Sequence, residues 1–262
     1  MMRANYKNWV PNGMLTALTA GTVILGAGTA ALMCTKMNPK LKKAVAGAAG
    51  AGTLLCGTMT AWSFYAHGKF SYDGERQLSK EIVEGTAKYV TLPADGIGLD
   101  VGCGSGALTI ACAKRNPQGR MIGIDRWGME YASFSQQLCE DNSDAEGVQN
   151  TEFRQGDACR LDFPDAYFDA VTSNYVYHNI TGVSKQELLR ETLRVLKKGG
   201  TFAIHDIMSK ARYGDMQQFI RELYDEGYEE VKLIDTANGM FMSKGEAKIL
   251  GLSGSSLLIG KK

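Results

Sequence analysis

Three glycines at alternate positions, Gly102, Gly104 and Gly106, follow Asp100 in the run Leu99-Asp-Val-Gly-Cys-Gly-Ser-Gly-Ala-Leu-Thr-Ile110. Residues of this type do binding chemistry. Glycines let the backbone turn sharply and let a ligand touch the main chain. Free N–H groups at the start of the helix that follows favour an anionic or strongly polar group. Farther along, Asp125 closes the apolar segment Met121-Ile-Gly-Ile124. A carboxylate roughly 20 residues past the glycines can accept hydrogen bonds from ribose hydroxyls, or it can cap the next helix. Arg126 and Trp127 come next, and the indole can lie against an adenine ring or cover core. Asp157, in Gly156-Asp-Ala158, can hold an adenine amino group or serve a turn. Ser173 and Asn174 end a fourth apolar run, with Tyr175, Tyr177 and His178 just beyond. His178 can act as a base or orient an acceptor, or simply pack at the strand end. His205 and the two tyrosines carry the same two readings, pocket or core.

The elements that must position these residues alternate between strand and helix. Strands are expected over 97–101, over 121–125, from Thr151 towards Asp157, from Phe168 to Asn174, and over 201–206. A helix is expected from Ser184, where Ser184-x-x-Glu187 reads as a capping box. Its apolar residues Leu188, Leu189, Thr192, Val195 and Leu196 recur at helical spacing, and it stops at Lys197-Lys-Gly-Gly200. Residues 208–228, with Met208, Met216, Phe219 and Tyr224, can form part of a cover over an acceptor, and their spacing is also that of an ordinary amphipathic helix. The glycine loop alone is ambiguous. Gly102-x-Gly104-x-x-Ala107 also satisfies a dinucleotide fingerprint with alanine in the last place.

Taken in order, Asp-Val-Gly-Cys-Gly-Ser-Gly, Gly-Ile-Asp125, Gly-Asp157-Ala, Phe168-Asp-Ala-Val with Ser-Asn174, and Leu-Lys-Lys-Gly-Gly resemble a class I S-adenosylmethionine (SAM)-dependent methyltransferase. The match runs through roughly residues 70–262. The resemblance implies an α/β fold, a doubly wound, mostly parallel, seven-stranded Rossmann-like sheet. Residues 229–235 and 255–260 would supply a terminal antiparallel pair. It implies SAM as cofactor, with Gly102, Cys103, Gly104 and Gly106 beside its methionine part and Asp100 nearby. Asp125, with Arg126 and Trp127 beside it, would serve the ribose and adenine. Asp157 and Ala158 would border the adenine, and Asn174 and Tyr175 the methyl-donor end. Tyr175 and His178 would be the catalytic candidates, and Tyr72 and Arg76 would close over the cofactor. A nicotinamide cofactor fits the Gly-Asp157-Ala step and the terminal strand pair less well.

Residues 1–67 lie outside that domain by composition. Residues 13–34 and 44–66 carry no charge. Each is near the roughly 20 residues needed to cross a bilayer. The charged turn Thr35-Lys-Met-Asn-Pro-Lys-Leu-Lys-Lys43, with Pro39 ending a helix, makes this a membrane helical hairpin ahead of a 68–262 domain. Thr22, Gly26 and Ala30 lie four apart, as do Ala44, Ala48, Gly52 and Cys56; small residues so spaced let two helices approach closely in lipid. Trp62 and Tyr65 suit an interfacial anchor. A soluble hairpin is the other reading. Cations flank both ends in nearly equal number, so orientation rests on the cytosolic supply of SAM, which puts the catalytic domain on the cytoplasmic face of the cell membrane.

The chain of 262 residues has net charge +1, which gives no electrostatic case for nucleic acid. Its six cysteines form neither a CxxC pair nor a metal spacing, so no metal and a reducing compartment are expected. The expected function is a membrane-anchored methyltransferase acting on a lipid or other hydrophobic small molecule, such as a head-group amine, a quinone precursor or a thiol. A soluble small-molecule methyltransferase and a non-catalytic SAM-binding membrane protein are the alternatives.

Overall fold

The computed structural model describes residues 3–128 and 133–262. They form two compact units, Asn8–Lys80 and a second built from residues up to Lys7 together with Glu81–Lys262.

The Asn8–Lys80 unit is a helical hairpin of α1 (Asn12–Met33) and α2 (Pro39–Phe70). The second helix is longer than residues 44–66 because Pro39 opens it instead of ending the helix before. At the first helical position the missing N–H costs no bond, and the Asn38 side chain accepts from the N–H groups of Lys40 and Leu41. The ammonium of Lys42 closes the turn by donating to the carbonyls of Met33 and Thr35. The helices meet through hydroxyls and glycines. Thr22 and Thr60 hydroxyls lie 3.0 Å apart. A Cβ on Gly57 would sit 3.7 Å from Thr22, and one on Gly26 would sit 3.6 Å from Thr53. On α2 the contact thus runs through Thr53, Gly57 and Thr60. The alanines and glycines of residues 44–57 are too evenly spread for spacing alone to select a face. Large apolar side chains point outward, with Ile24 70% and Leu54 71% exposed.

In the second unit β1 (Ile97–Val101) pairs in parallel with β2 (Arg120–Asp125) on one side and β4 (Phe168–Asn174) on the other. Paired on both edges, it is apolar and buried almost throughout. Beyond β2 lies β3 (Thr151–Gln155), and beyond β4 lies β5 (Leu196–Ile207), both parallel. The sheet ends with β7 (Ser255–Lys261) antiparallel to β5 and β6 (Glu230–Asp235) antiparallel to β7. The order is therefore β3-β2-β1-β4-β5-β7-β6, the expected mostly parallel seven-stranded sheet. Helices α3 (Leu78–Ala87), α4 (Ala107–Arg115), α5 (Gln136–Ala145), α6 (Lys185–Arg194), α7 (Lys210–Tyr213), α8 (Met216–Asp225) and α9 (Lys244–Leu250), with a 3-10 turn at Tyr177–Asn179, complete the described elements.

Three local expectations change. Ser184 caps α6 by position, but its side chain makes no capping bond. That helix stops at Arg194, and Leu196–Gly200 begins β5. The Lys197 ammonium is held by the Asp169 carboxylate at 2.9 Å, and the pairing register shifts between Phe168 and Ala170. Residues 208–228 split into α7 and α8 around Gly214, whose φ of +73° ends the first; the Asp215 carboxylate then caps the second by accepting from the N–H groups of Gln217 and Gln218.

One packing feature had no signal in the pattern. The Asn5 N–H donates to Asn142 Oδ1 at 2.6 Å, and Asn142 Nδ2 donates to the Asn5 carbonyl at 3.2 Å and to the Ser105 carbonyl at 2.9 Å. Residues ahead of the hairpin thereby brace α5 against the glycine loop.

Candidate functional site

The strand order runs in opposite directions from the β1–β4 pair, which makes the carboxyl ends of those strands the border of a crevice. The glycine loop follows β1, and Asn174 ends β4 with Tyr175 and His178 just beyond it at that same edge.

The loop is fixed by its own backbone. The N–H groups of Gly102 and Cys103 donate to the Ile124 carbonyl at 2.8 and 2.9 Å, and the Gly106 N–H donates to the Cys103 carbonyl at 2.8 Å. All three glycines are left-handed, with φ of +74°, +57° and +79°. At Gly102 a side chain has no room, because its Cβ would lie 2.4 Å from Val176 Cγ2. Gly102 therefore lets the loop touch the segment leaving β4.

Asp125 ties the ends of β1 and β2 together. Its Oδ2 accepts from the Gly104 N–H at 2.9 Å and its Oδ1 from the Trp127 N–H at 2.8 Å. Trp127, at φ +43°, donates its indole N–H to the Gly104 carbonyl at 3.0 Å. The ring thus lies back along the glycine loop, and it packs on the apolar cluster that includes Cys103 and Leu108. Arg126 is exposed beside it. Asp157 is exposed and accepts from the Cys159 N–H at 2.9 Å, while Ala158 is buried in the core cluster of Leu99 and Val101. Tyr72 and Arg76 belong to the Asn8–Lys80 unit.

Asp100 is the buried acid of the site. Its Oδ2 accepts from the Thr109 hydroxyl at 2.6 Å, and its Oδ1 is buried without a partner. Burial pushes its carboxyl up to about 7, with the Asp125 charge adding and the Thr109 bonds opposing. An unsatisfied carboxylate oxygen behind the loop suits a cation, and the ammonium of an amino-acid ligand is one. The shift has a thermodynamic sign. The folded state holds this proton more tightly than the unfolded chain, so its contribution is full below pH 4 and is lost as pH rises towards 7. Each pKa unit is about 1.4 kcal/mol, an upper bound for a group whose surroundings relax. Thermal scans of the ligand-free protein should show stability falling between pH 4.5 and 8, and Asp100→Asn should flatten that fall. An equal slope in both proteins would remove Asp100 as its source.

One histidine, His178, follows the fourth strand and another, His205, lies within the fifth, and they differ. His205 is fully buried, with Nδ1 2.8 Å from Asn174 Oδ1 and Nε2 2.8 Å from the Thr236 hydroxyl. Burial lowers its pKa to about 3. It is a neutral structural residue that fixes the Asn174 amide, and this settles it on the core side of the two readings. Tyr177 is also core, its hydroxyl 2.6 Å from that of Thr192. His178 is instead partly open. Its Nδ1 lies 2.5 Å from Asp206 Oδ1 and its N–H donates to Asp206 Oδ2 at 3.0 Å. Tyr175, between them, is left-handed at φ +54°; its hydroxyl lies 2.7 Å from that of Ser255, and its ring meets His205 edge-on at 4.6 Å. Strain of this kind in a non-glycine residue persists only where the surroundings impose it. Asp206 was not singled out from the sequence, since a lone acid at the end of a strand gives no pattern; only the pairing of β4 with β5 brings it to His178. No cluster of metal-ligating side chains occurs among the described residues.

Residues 99–204 match a family described as a methyltransferase domain. The chain is 32% identical over 132 residues to a 2-phytyl-1,4-naphtoquinone methyltransferase of Thermosynechococcus vestitus, covering 50% of this chain and 54% of that protein. It is 34% identical over 122 residues to a demethylmenaquinone methyltransferase of Lactobacillus johnsonii, covering 45% and 46%. The chain thus spans about half the length of these curated relatives. Among solved structures, the [4+2]-cyclase SpnF aligns with TM-score 0.54 at 19% identity, over 71% of this chain and 82% of that one. A geranyl diphosphate C-methyltransferase of Streptomyces coelicolor, in complex with Mg2+, geranyl diphosphate and S-adenosyl-L-homocysteine, aligns with TM-score 0.53 at 15% identity, over 71% and 79%. Residues 99–204 thus match a methyltransferase domain, and the solved structures share the fold of the sheet unit.

Proposed function

We propose that this chain transfers the methyl group of SAM to a hydrophobic small molecule while its helical hairpin holds it in a bilayer, with the methyltransferase domain on the cytoplasmic side. The observation that carries the first half is the glycine loop locked to Asp125 at the carboxyl edge of β1 and β2. In this reading Gly102, Cys103, Gly104 and Gly106 border the methionine part, with Asp100 behind them. Asp125 offers its remaining lone pairs to the ribose; Arg126, Trp127, Asp157 and Ala158 border the adenine; Asn174 and Tyr175 stand at the methyl-donor end. When bound, SAM supplies a methyl carbon on a sulfonium leaving group, so the hard chemistry comes with the cofactor. The chain's residues align the acceptor with that carbon and keep water out.

Fold alone does not fix the reaction, as a [4+2]-cyclase with the same architecture illustrates. Turnover must therefore be read directly. Incubation of the purified protein with methyl-labelled SAM and a total lipid extract should label an organic-soluble product. SAM binding without any labelled product would favour the non-catalytic reading.

A hydrophobic acceptor is supported by the quinone-type names of two relatives and by the hairpin. Both hairpin helices are long and apolar enough to cross a membrane, with 18-residue stretches of mean hydropathy 1.6 and 1.3, and their large apolar side chains are exposed rather than packed. Lys69, 5.3 Å from the Tyr65 ring, and Trp62 would mark one interface. Upon cell fractionation the protein should sediment with membranes, resist carbonate extraction and be released by detergent. Recovery in the detergent-free supernatant would leave the soluble-enzyme reading.

A further inference from the structure

We propose that His178, oriented by the buried Asp206 carboxylate, is the base of this site, and that the methyl acceptor therefore carries a weakly acidic hydroxyl, a phenol or an enol. The inference rests on the methyl-transfer reading above and names its substrate class.

The geometry assigns every proton. Asp206 lies at the end of β5, 1% exposed. Its Oδ1 accepts from the Ile207 N–H at 2.6 Å and faces His178 Nδ1; its Oδ2 accepts from the His178 N–H and from the Tyr213 hydroxyl at 2.9 Å. Burial pushes this carboxyl up, but the His178 hydrogen bond and attraction, with the backbone N–H groups of Ile207 and His178, outweigh it and hold it below the usual carboxylate range. An ionised carboxylate only accepts, so His178 Nδ1 must carry the hydrogen. In the neutral ring the lone pair then sits on Nε2, and the side chain keeps 16% of its surface open. Packing alone does not require a buried charge held by four donors; a positioned base does.

The acceptor class follows from what a base is needed for. A thiol is partly ionised near neutral pH, and an amine that has shed its ammonium proton to water attacks through its own lone pair, whereas a phenolic hydroxyl with a pKa of about 10 is almost wholly protonated and must lose its proton as its oxygen attacks. In the step, the acceptor O–H gives its proton to Nε2 as the oxygen forms a bond to the methyl carbon. The carbon–sulfur bond breaks with its electron pair going to sulfur, which ends neutral. The imidazolium then releases its proton to water. The charged and titratable groups around this pair are Arg212 and Tyr213 on α7 and Tyr175 after β4; Arg212 donates to the His178 carbonyl at 3.3 Å.

The chain has three histidines, so ring-nitrogen NMR of the full protein in nanodiscs can resolve His178. The expected result is a neutral His178 protonated at Nδ1, shifting towards the Nε2–H form in Asp206→Asn. Activity is read as label passing from SAM into a lipid extract, with the product expected to be a base-stable methyl ether. His178→Ala should lower that rate about 100-fold or more, with SAM affinity by calorimetry unchanged. The fall in wild-type rate at low pH should vanish in this variant, which should regain rate as pH rises towards ionisation of the hydroxyl. Three results would overturn the proposal: an Nε2–H tautomer in the wild type, a His178→Ala rate within threefold of wild type, or a labelled product that is an N-methyl or S-methyl compound. Absence of both SAM binding and labelled product in the wild type would instead overturn the parent reading.

Discussion

Gly102→Ala should weaken SAM binding about 100-fold or more while leaving the far-ultraviolet circular dichroism spectrum of the protein intact, a loss of about 2.7 kcal/mol. Two effects add. The residue sits at φ +74°, where an L side chain costs roughly 1–2 kcal/mol. The new Cβ would also lie 2.4 and 2.6 Å from the Val176 methyl carbons, and a β-branched side chain has little rotamer freedom with which to give way. Either the loop or the segment leaving β4 must move. Because Val176 directly follows Tyr175 and precedes His178 by two residues, a shift there would carry both side chains with it. Adding Val176→Ala should recover part of the affinity, since it removes the two methyl carbons but not the left-handed strain. Calorimetric titration with SAM distinguishes the outcomes. Affinity within threefold of wild type in the single variant would mean that this loop does not hold the cofactor.

Asp125→Ala should be at least as damaging to binding. It strands the Gly104 and Trp127 N–H groups, and a donor left without its partner costs about 1–3 kcal/mol where water cannot replace it. Asp125→Asn is no remedy, because its amide nitrogen must face one of two N–H donors. Loop support and sugar contact can be separated with two weak competitors, adenosine and 2′,3′-dideoxyadenosine. The wild type should prefer adenosine and the alanine variant should bind both alike, since the preference reads only the hydroxyls. Equal discrimination by both proteins would take the ribose away from Asp125 and leave it a purely structural tie.

Much of the glycine-loop end of the candidate site was legible because its pattern is local. Glycine spacing, an acid closing the second strand and a polar end to the fourth are sequence-near patterns, and the structure places Gly102, Gly104, Gly106 and Asp125 together as their spacing suggests. The end of the site after β4 depends on partners brought in from a distance. His178 pairs with Asp206, His205 with Asn174 and Thr236, and Tyr175 with Ser255; each bond spans the chain through strand pairing that no short window reports. Helix limits failed for a different reason. Pro39 and the Lys197–Gly200 run each carry a signal that means start or stop according to what precedes it, and the preceding geometry is set by packing.

The bond between Asn5 and Asn142 has a topological consequence. The hairpin is an insertion within the folded domain, not a prefix to it, since residues on both of its sides belong to the same body. During synthesis Asn5 leaves the ribosome long before Asn142 exists to receive it. The brace behind Ser105 therefore closes only after the intervening helices have been made and their turn completed.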